Sequence, residues 1–109
     1  MILDLETCQR LKVIGAPQDQ AALYWIEPMP PSNIRPYLNL YPHTAFWCAA
    51  PDALDVLDWL EQEKGWYYAR LLGRHKHFFW KAWRASEPNL CWADTASDLI
   101  KAILDKMEE

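Results

Sequence analysis

The segment 66–84 constrains the fold of this chain more than any other stretch. It holds seven aromatic side chains and five Lys or Arg residues, with no Asp or Glu. Two runs of β-forming residues flank the sequence Gly73-Arg74-His75-Lys76. A short connection that contains glycine, placed between two such runs, is typical of a β-hairpin. The sequence therefore predicts a hairpin closed over residues 73–76, with Leu72 opposite His77.

This pairing predicts two different faces for the hairpin, because successive side chains of a strand point to opposite sides. One face is expected to be core and carries Tyr67, Ala69, Leu71, Phe78, Trp80 and Ala82. The other face places each cation against an aromatic ring and is the predicted binding surface. It comprises Trp66, Tyr68, Arg70, Phe79, Lys81 and Trp83, with His77 near the tip of the hairpin. Arg84, at the end of the second strand, is a further candidate contact residue.

Three interpretations of the predicted binding surface remain open. Cross-strand aromatic and cation–π pairs contribute about 0.2–1 kcal/mol each and are ordinary features of a half-exposed sheet. Alternatively, bases or nucleotides would stack on the rings while the cations meet phosphate. A protein partner would also fit, since Trp, Tyr and Arg dominate binding hot spots.

Length and composition predict a single domain over residues 1–109. Half of the chain is hydrophobic and seven residues are Trp, which is enough material for one solid core. The net charge is −4, and since the hairpin carries five positive charges, the remainder carries −9. An acidic balance argues against non-specific adhesion to DNA or to anionic membranes, except through a local patch.

The cysteines and the N-terminus predict a cytoplasmic protein. Cys8, Cys48 and Cys91 are odd in number and far apart, so they form neither a disulfide framework nor a Cys-x-x-Cys metal motif. The first residues lack the basic and apolar regions of a signal peptide. No apolar run approaches the roughly 20 residues that a membrane span needs. We expect no membrane association and no cofactor.

The pattern of caps and breakers predicts the order α-β-β-α-β-β-β-α. Helices are expected at about residues 4–14, 52–64 and 95–107, and the strands at 22–27, 44–49, 66–72, 77–84 and 90–93. Asp4 is expected to cap the first helix and Gly65 to end the second. Thr95 is expected to cap the last helix, which has the clearest amphipathic pattern in the chain. Alternation of this kind favours an α+β fold, with a mostly antiparallel sheet of about five strands packed against three helices.

A proline-rich surface segment is predicted at residues 28–43. It holds five of the eight prolines, which excludes a helix and favours an extended backbone. The segment also carries apolar residues, together with Arg35 and Tyr37 as candidate contact residues. It either covers the sheet, or serves as a recognition loop or a dimer contact, because exposed apolar patches usually mark interaction sites.

Several other residue clusters have plain structural explanations. His75 and His77 lack a third metal ligand, and His43 and Cys48 would point to opposite faces of one strand. The acidic group Asp52, Asp55 and Asp58 suits the positive end of a helix dipole. The chain has three glycines and no Gly-rich phosphate loop. These patterns favour a protein that is not an enzyme.

Two stretches look like parts of a known family. The motifs are Ala53-Leu-Asp-Val-Leu-Asp-Trp59-Leu60, Gly65-Trp66, and Ala93-Asp94-Thr95-Ala96 followed by Leu99-Ile100-Lys101-Ala102-Ile103. Within residues 53–104 this pattern resembles the small phage ABA-sandwich domain. The N-terminal stretch from Glu6 to Gln18 similarly looks like the start of small phage and prophage proteins. The resemblance implies a sheet sandwiched by helices and a phage or prophage origin, without an established activity.

The sequence thus predicts a small phage or prophage accessory protein that binds a host macromolecule. A host protein is the expected partner, with the hairpin surface and the proline-rich segment as contacts. Inhibition of a bacterial defence system is one form that this binding would take. The alternative is a protein that sequesters a small ligand or nucleotide between hairpin and loop. Homodimerisation is left open.

Overall fold

The structure of the chain, a computed structural model, describes residues 3–19, 21–26, 35–40, 48–84 and 87–108. Within these residues the chain contains three α-helices and six β-strands in the order α-β-β-β-α-β-β-β-α. The strands form two three-stranded antiparallel sheets. The predicted α+β class and antiparallel pairing are therefore confirmed.

The described residues divide into two compact units, within 3–52 and 53–108, and each unit holds one sheet. The prediction of about five strands in one sheet is wrong. The strands divide three and three, and a sixth strand forms inside the segment 28–43. The single domain over 1–109 stays a prediction.

The first unit begins with α1 (Leu5–Val13). Asp4 caps this helix, because its carboxylate accepts a hydrogen bond of 2.9 Å from the backbone N–H of Thr7. Cys8 and Leu11 on the inner side of the helix are buried. The helix packs against β3 (Cys48–Ala50), whose three residues are all buried.

The sheet of the first unit has the order β2-β1-β3, with β1 at Leu23–Ile26 and β2 at Tyr37–Asn39. β2 is the strand that the proline-rich pattern concealed. Pro36 stands directly before β2, where a missing N–H donor removes no ladder hydrogen bond from this edge strand. The rest of the predicted segment, 28–34 and 41–43, lies outside the described residues.

The second unit consists of α2 (Ala53–Lys64), β4 (Trp66–Leu72), β5 (Phe78–Arg84), β6 (Glu87–Ala93) and α3 (Ala96–Met107). Its strands pair in the order β4-β5-β6. α2 packs against β4, whereas α3 packs against β5, β6 and α2. One side of the sheet and the apolar sides of both helices therefore form the core of this unit.

Local signals set the ends of these elements. Gly65 has a φ of 74°, which lets the chain turn directly from α2 into β4 at a conformation that favours glycine. Thr95 caps α3, since its hydroxyl oxygen accepts a hydrogen bond of 3.1 Å from the N–H of Asp98. Both boundaries agree with the sequence prediction.

The turn between β4 and β5 differs from the predicted four-residue connection. The N–H of Gly73 donates a 2.7 Å hydrogen bond to the carbonyl of His77, so these two residues face each other. Only Arg74–Lys76 lie between them, as a short 3₁₀ turn. The strands consequently pair Leu72 with Phe78, and the predicted register is wrong by one residue. A shift of one residue reverses which side chains share a face.

Candidate functional site

The sheet of the second unit has a helix-covered face and an open face. On the helix-covered face Trp66, Ala82 and Cys91 are each at most 4% exposed. The opposite side chains define the open face. They are Tyr67, Ala69, Leu71, Phe79, Lys81, Trp83, Leu90 and Trp92. Among these, Tyr67, Leu71, Leu90 and Trp92 are exposed.

The observed register corrects the predicted binding surface. Of its residues, only Phe79, Lys81 and Trp83 lie on the open face. The others lie on the helix-covered face: Trp66, Tyr68, Arg70 and Arg84. The physical reason is the length of the turn. With three residues between Gly73 and His77, each even-numbered residue of β4 lies opposite an even-numbered residue of β5, whereas the predicted register placed it opposite an odd-numbered one. The predicted surface mixed the two faces.

The predicted core face is corrected by the same shift. Ala82 is fully buried, as predicted, and Trp80 lies on the helix-covered face with it. Tyr67 and Leu71 were also predicted to be core, but they lie on the open face and are exposed. Phe78 is exposed although it shares the face of Ala82, because it lies at the end of β5 next to the turn.

The open face carries a continuous row of rings around one lysine. The ammonium nitrogen of Lys81 lies 5.1 Å from the ring centroid of Trp92 and 5.6 Å from that of Trp83. Phe79 extends the row on one side, with its centroid 5.3 Å from that of Trp92. Tyr67 extends it on the other, stacked at 6.1 Å from Trp83. The four rings span all three strands.

Two residues of β6 were missed by the sequence analysis. Trp92 is 55% exposed and Leu90 is 47% exposed, and both side chains lie on the open face. The small residues Cys91 and Ala93 alternate with them and share the helix-covered side. This alternation of large and small apolar residues was the signal available in the sequence. Contiguous exposed apolar side chains usually mark an interaction site.

Lys81 is the only Lys or Arg on the open face among the described residues of this sheet. Arg84 instead stacks over the ring of Trp66 at 5.5 Å and donates a 3.2 Å hydrogen bond to the carbonyl of Lys64. Arg70 stacks over Phe78 at 4.2 Å. Two of the three cations that would meet phosphate, Arg70 and Arg84, are therefore held on the helix-covered face.

Tyr68 connects β4 to α2 on the helix-covered face. Its hydroxyl donates a hydrogen bond to the carboxylate of Asp58, and its ring stacks on Trp80 with centroids 6.3 Å apart. The hydrogen bond to Asp58, together with burial, raises the pKa of Tyr68 to about 12. These contacts give Tyr68 a structural role, and they account for Asp58 of the predicted acidic group.

The thiols of the first unit are buried and protonated. Burial raises the pKa of Cys8 to about 12, and the neighbouring Cys48 acts in the same direction. Burial also raises the pKa of Cys48, against an opposing effect of Lys12. A thiol in this environment is a poor nucleophile at neutral pH. His43, the other half of the pair considered in the sequence, lies outside the described residues.

No group of three or more His, Cys, Asp or Glu side chains within the described ranges could hold a metal ion. His77 instead lies near Asp94, with Nε2 and Oδ1 3.6 Å apart on the exposed surface. None of the described helices is long and apolar enough to cross a membrane. Arg35 and Tyr37, the candidates from the proline-rich segment, are exposed in the first unit.

Comparisons of this chain with protein-family models, with curated proteins and with solved structures found no match. The resemblance of residues 53–104 to the phage ABA-sandwich domain stays a prediction. The open face is the feature of the molecule from which a function can be inferred.

Proposed function

We propose that this chain is a non-enzymatic binding protein and that the open face of β4, β5 and β6 is its contact surface for another protein. The observation that supports this is the exposure of Trp92, which belongs to the row of rings, and of Leu90 next to it in β6. The core of the unit lies on the helix-covered face, where Trp66, Ala82 and Cys91 are buried, so the unit does not need Trp92 and Leu90 for its core. Large apolar side chains at such positions are available to a partner.

The composition of the open face favours a protein over a nucleic acid. Leucines at positions 71 and 90 flank the rings, and they offer apolar contact but neither stacking nor charge. Trp and Tyr are the residue types most enriched in protein hot spots. A charge-poor centre is also what distinguishes the buried part of a protein interface. Lys81 would form the one charge-assisted contact at this centre.

Nucleic-acid or nucleotide binding is the second candidate, supported by Lys81 between the rings of Trp83 and Trp92. Stacked bases with phosphate at the ammonium would fit this arrangement. It is the weaker candidate because Arg70 and Arg84 lie on the helix-covered face and are stacked over other rings. One central cation is few for a strand with a phosphate at every nucleotide.

A phage or prophage accessory protein acting on a host macromolecule is a biological setting that suits a small binding protein. It is supported by the sequence resemblance over residues 53–104 rather than by the geometry of the open face. Inhibition of a bacterial defence system is a special case of the same proposal. The identity of the captured protein would decide it.

Two matched leucine variants test the proposal. Leu90 on the open face and Leu54 on α2 are almost equally exposed, at 47% and 48%. Immobilised wild type, Leu90→Asp and Leu54→Asp would be incubated with bacterial lysate, and the retained proteins identified by mass spectrometry. The proposal predicts a protein retained by wild type and Leu54→Asp but lost from Leu90→Asp.

Two results of this experiment would contradict a protein partner on the open face. One is a retained protein that Leu90→Asp still binds, provided that circular dichroism shows both variants folded. The other is retention that disappears when the lysate is treated with nuclease, which would favour the nucleic-acid candidate.

A further inference from the structure

β4 is a seven-residue strand at the edge of its sheet. None of the described residues pairs with its outer side. Its sequence, Trp-Tyr-Tyr-Ala-Arg-Leu-Leu, contains no proline and one charged residue, Arg70, whereas prolines and charged side chains are the common protections of an exposed edge. An edge strand of this length presents a row of backbone groups that another strand can pair with.

The turn determines which backbone groups of β4 face outward. Gly73 is hydrogen-bonded to His77, so the alternation of an antiparallel ladder directs residues 67, 69 and 71 toward β5. The N–H and C=O groups of the remaining residues point away from the sheet. These outward-facing residues are Trp66, Tyr68, Arg70 and Leu72.

We propose that a second copy of this chain pairs antiparallel with β4 along this edge, about a two-fold axis through Ala69. The pairing joins the two sheets into one continuous six-stranded sheet. A two-fold contact uses the same surface on both copies, so the surface must be self-complementary. The register of β4 meets this condition in one arrangement better than in its neighbours.

Hydrogen-bonded pairs between the copies must join outward-facing residues, which leaves three central registers. An axis at Arg70 places this guanidinium opposite its own copy, where like charges destabilise. An axis at Tyr68 leaves Leu71 and Leu72 without a partner. An axis at Ala69 pairs every residue of the strand and places no like charges opposite each other.

The register through Ala69 also matches side chains by size and chemistry. Ala69 meets its own copy in a non-hydrogen-bonded pair, where Cα atoms approach to about 4.5 Å and small side chains fit. Tyr68 lies opposite Arg70 of the second copy, so an aromatic ring faces a cation. Tyr67 lies opposite Leu71 of the second copy, and Trp66 opposite Leu72. About eight backbone hydrogen bonds would form.

Exposed side chains along β4 support a partner at this edge. Leu72 is 60% exposed, Tyr67 is 41% exposed and Leu71 is 37% exposed. Pairing through Ala69 would remove apolar surface of all three from water.

The second copy would also enlarge the open face. The open face of one copy consists of three strands of seven residues each and covers about 300 Å². This area is well below the roughly 800 Å² per partner of a standard protein interface. A two-fold axis perpendicular to the sheet places the open faces of both copies on the same side. The inference does not depend on the proposed function, since β4 can pair whether or not the open face binds a partner.

Cysteine cross-linking tests both the pairing and its register. Ala69→Cys places two thiols opposite each other across the axis, at a spacing that a disulfide can bridge. In Leu71→Cys the two new thiols would be about 13 Å apart along the strands. Cys8, Cys48 and Cys91 are buried, so background cross-linking is small. We expect mild oxidation to give a covalent dimer for Ala69→Cys and not for Leu71→Cys.

Proline variants provide an independent test by light scattering. Arg70→Pro removes an outward N–H and keeps every hydrogen bond to β5, so it should fold and be monomeric where wild type is dimeric. Leu71→Pro removes an inward N–H and should unfold the hairpin instead. The inference is overturned if wild type stays monomeric at hundreds of micromolar, if folded Arg70→Pro remains dimeric, or if Leu71→Cys cross-links as readily as Ala69→Cys.

Discussion

The ammonium of Lys81 lies 5.1 Å from the centre of the Trp92 ring, and the two residues are directly paired between β5 and β6. This contact holds a tryptophan on the surface of a sheet whose opposite face is buried. A cation–π pair at an exposed site contributes about 0.5–1 kcal/mol. Trp92 stays 55% exposed despite this contact, so more than half of its surface is available to a partner.

Two tryptophans of the same sheet should therefore differ in their importance for folding. Trp66 is 1% exposed on the helix-covered face, and Trp66→Ala should lower the free energy of unfolding by about 3–5 kcal/mol. Trp92→Ala should lower it by about 1–2 kcal/mol, since it loses the contacts with Lys81 and Phe79. Urea denaturation measures both values. Equal losses would show that Trp92 belongs to the core.

The register of the hairpin can be tested by disulfides within one chain. Leu72 and Phe78 are paired and exposed, so Leu72→Cys with Phe78→Cys should oxidise to an intramolecular disulfide. Leu72→Cys with His77→Cys should not, because the two side chains point to opposite faces. Mass spectrometry of the oxidised, digested proteins distinguishes the two. The reverse result would restore the register predicted from sequence.

The bond between Tyr68 and Asp58 predicts a loss of stability at high pH. The pKa of Tyr68 is about 12 in the folded chain against 10.0 for an unperturbed tyrosine. The hydroxyl must be protonated to donate, so its contribution is complete below pH 10 and disappears between pH 10 and 12. The unfolding free energy of wild type should fall more steeply over this range than that of Tyr68→Phe. Parallel curves would mean that the bond does not form.

Cys8 should resist thiol reagents while the chain is folded. Burial raises its pKa from 9.0 to about 12, which leaves very little thiolate at pH 8. Iodoacetamide labelling, followed by peptide mapping, should modify Cys8 rapidly in urea and slowly without it. Rapid labelling of Cys8 under native conditions would show that α1 opens or that the thiol is not buried.

Much of the fold follows from local signals in the sequence. Asp4 and Thr95 were predicted as helix caps, and both side chains accept the expected backbone hydrogen bonds. The helical periodicity of apolar residues predicts α3, and Gly65 predicts the end of α2. These features depend on a few neighbouring residues. The division into two sheets depends on pairing between distant strands, and the sequence pattern alone does not determine it.

The binding surface was harder to predict because one turn controls it. His75 and Lys76 adopt φ values of 61° and 58°, which are uncommon for residues other than glycine. Neither residue type indicates this conformation, and a four-residue turn is the simpler expectation. The resulting shift by one residue moved Arg70 to the helix-covered face and Tyr67 to the open face. The exposed position of Trp92 was not predicted, because residues 90–93 form only a short apolar run, from which the alternation of faces is hard to recognise.

Site-specific photo-cross-linking tests most directly whether the open face is the contact surface. A photoreactive phenylalanine analogue would replace Trp92 on the open face or Leu54 on α2, which is 48% exposed, in protein produced in bacterial cells. The account predicts an ultraviolet-dependent adduct with another protein from position 92 and none from position 54. An adduct from position 54 alone would contradict it.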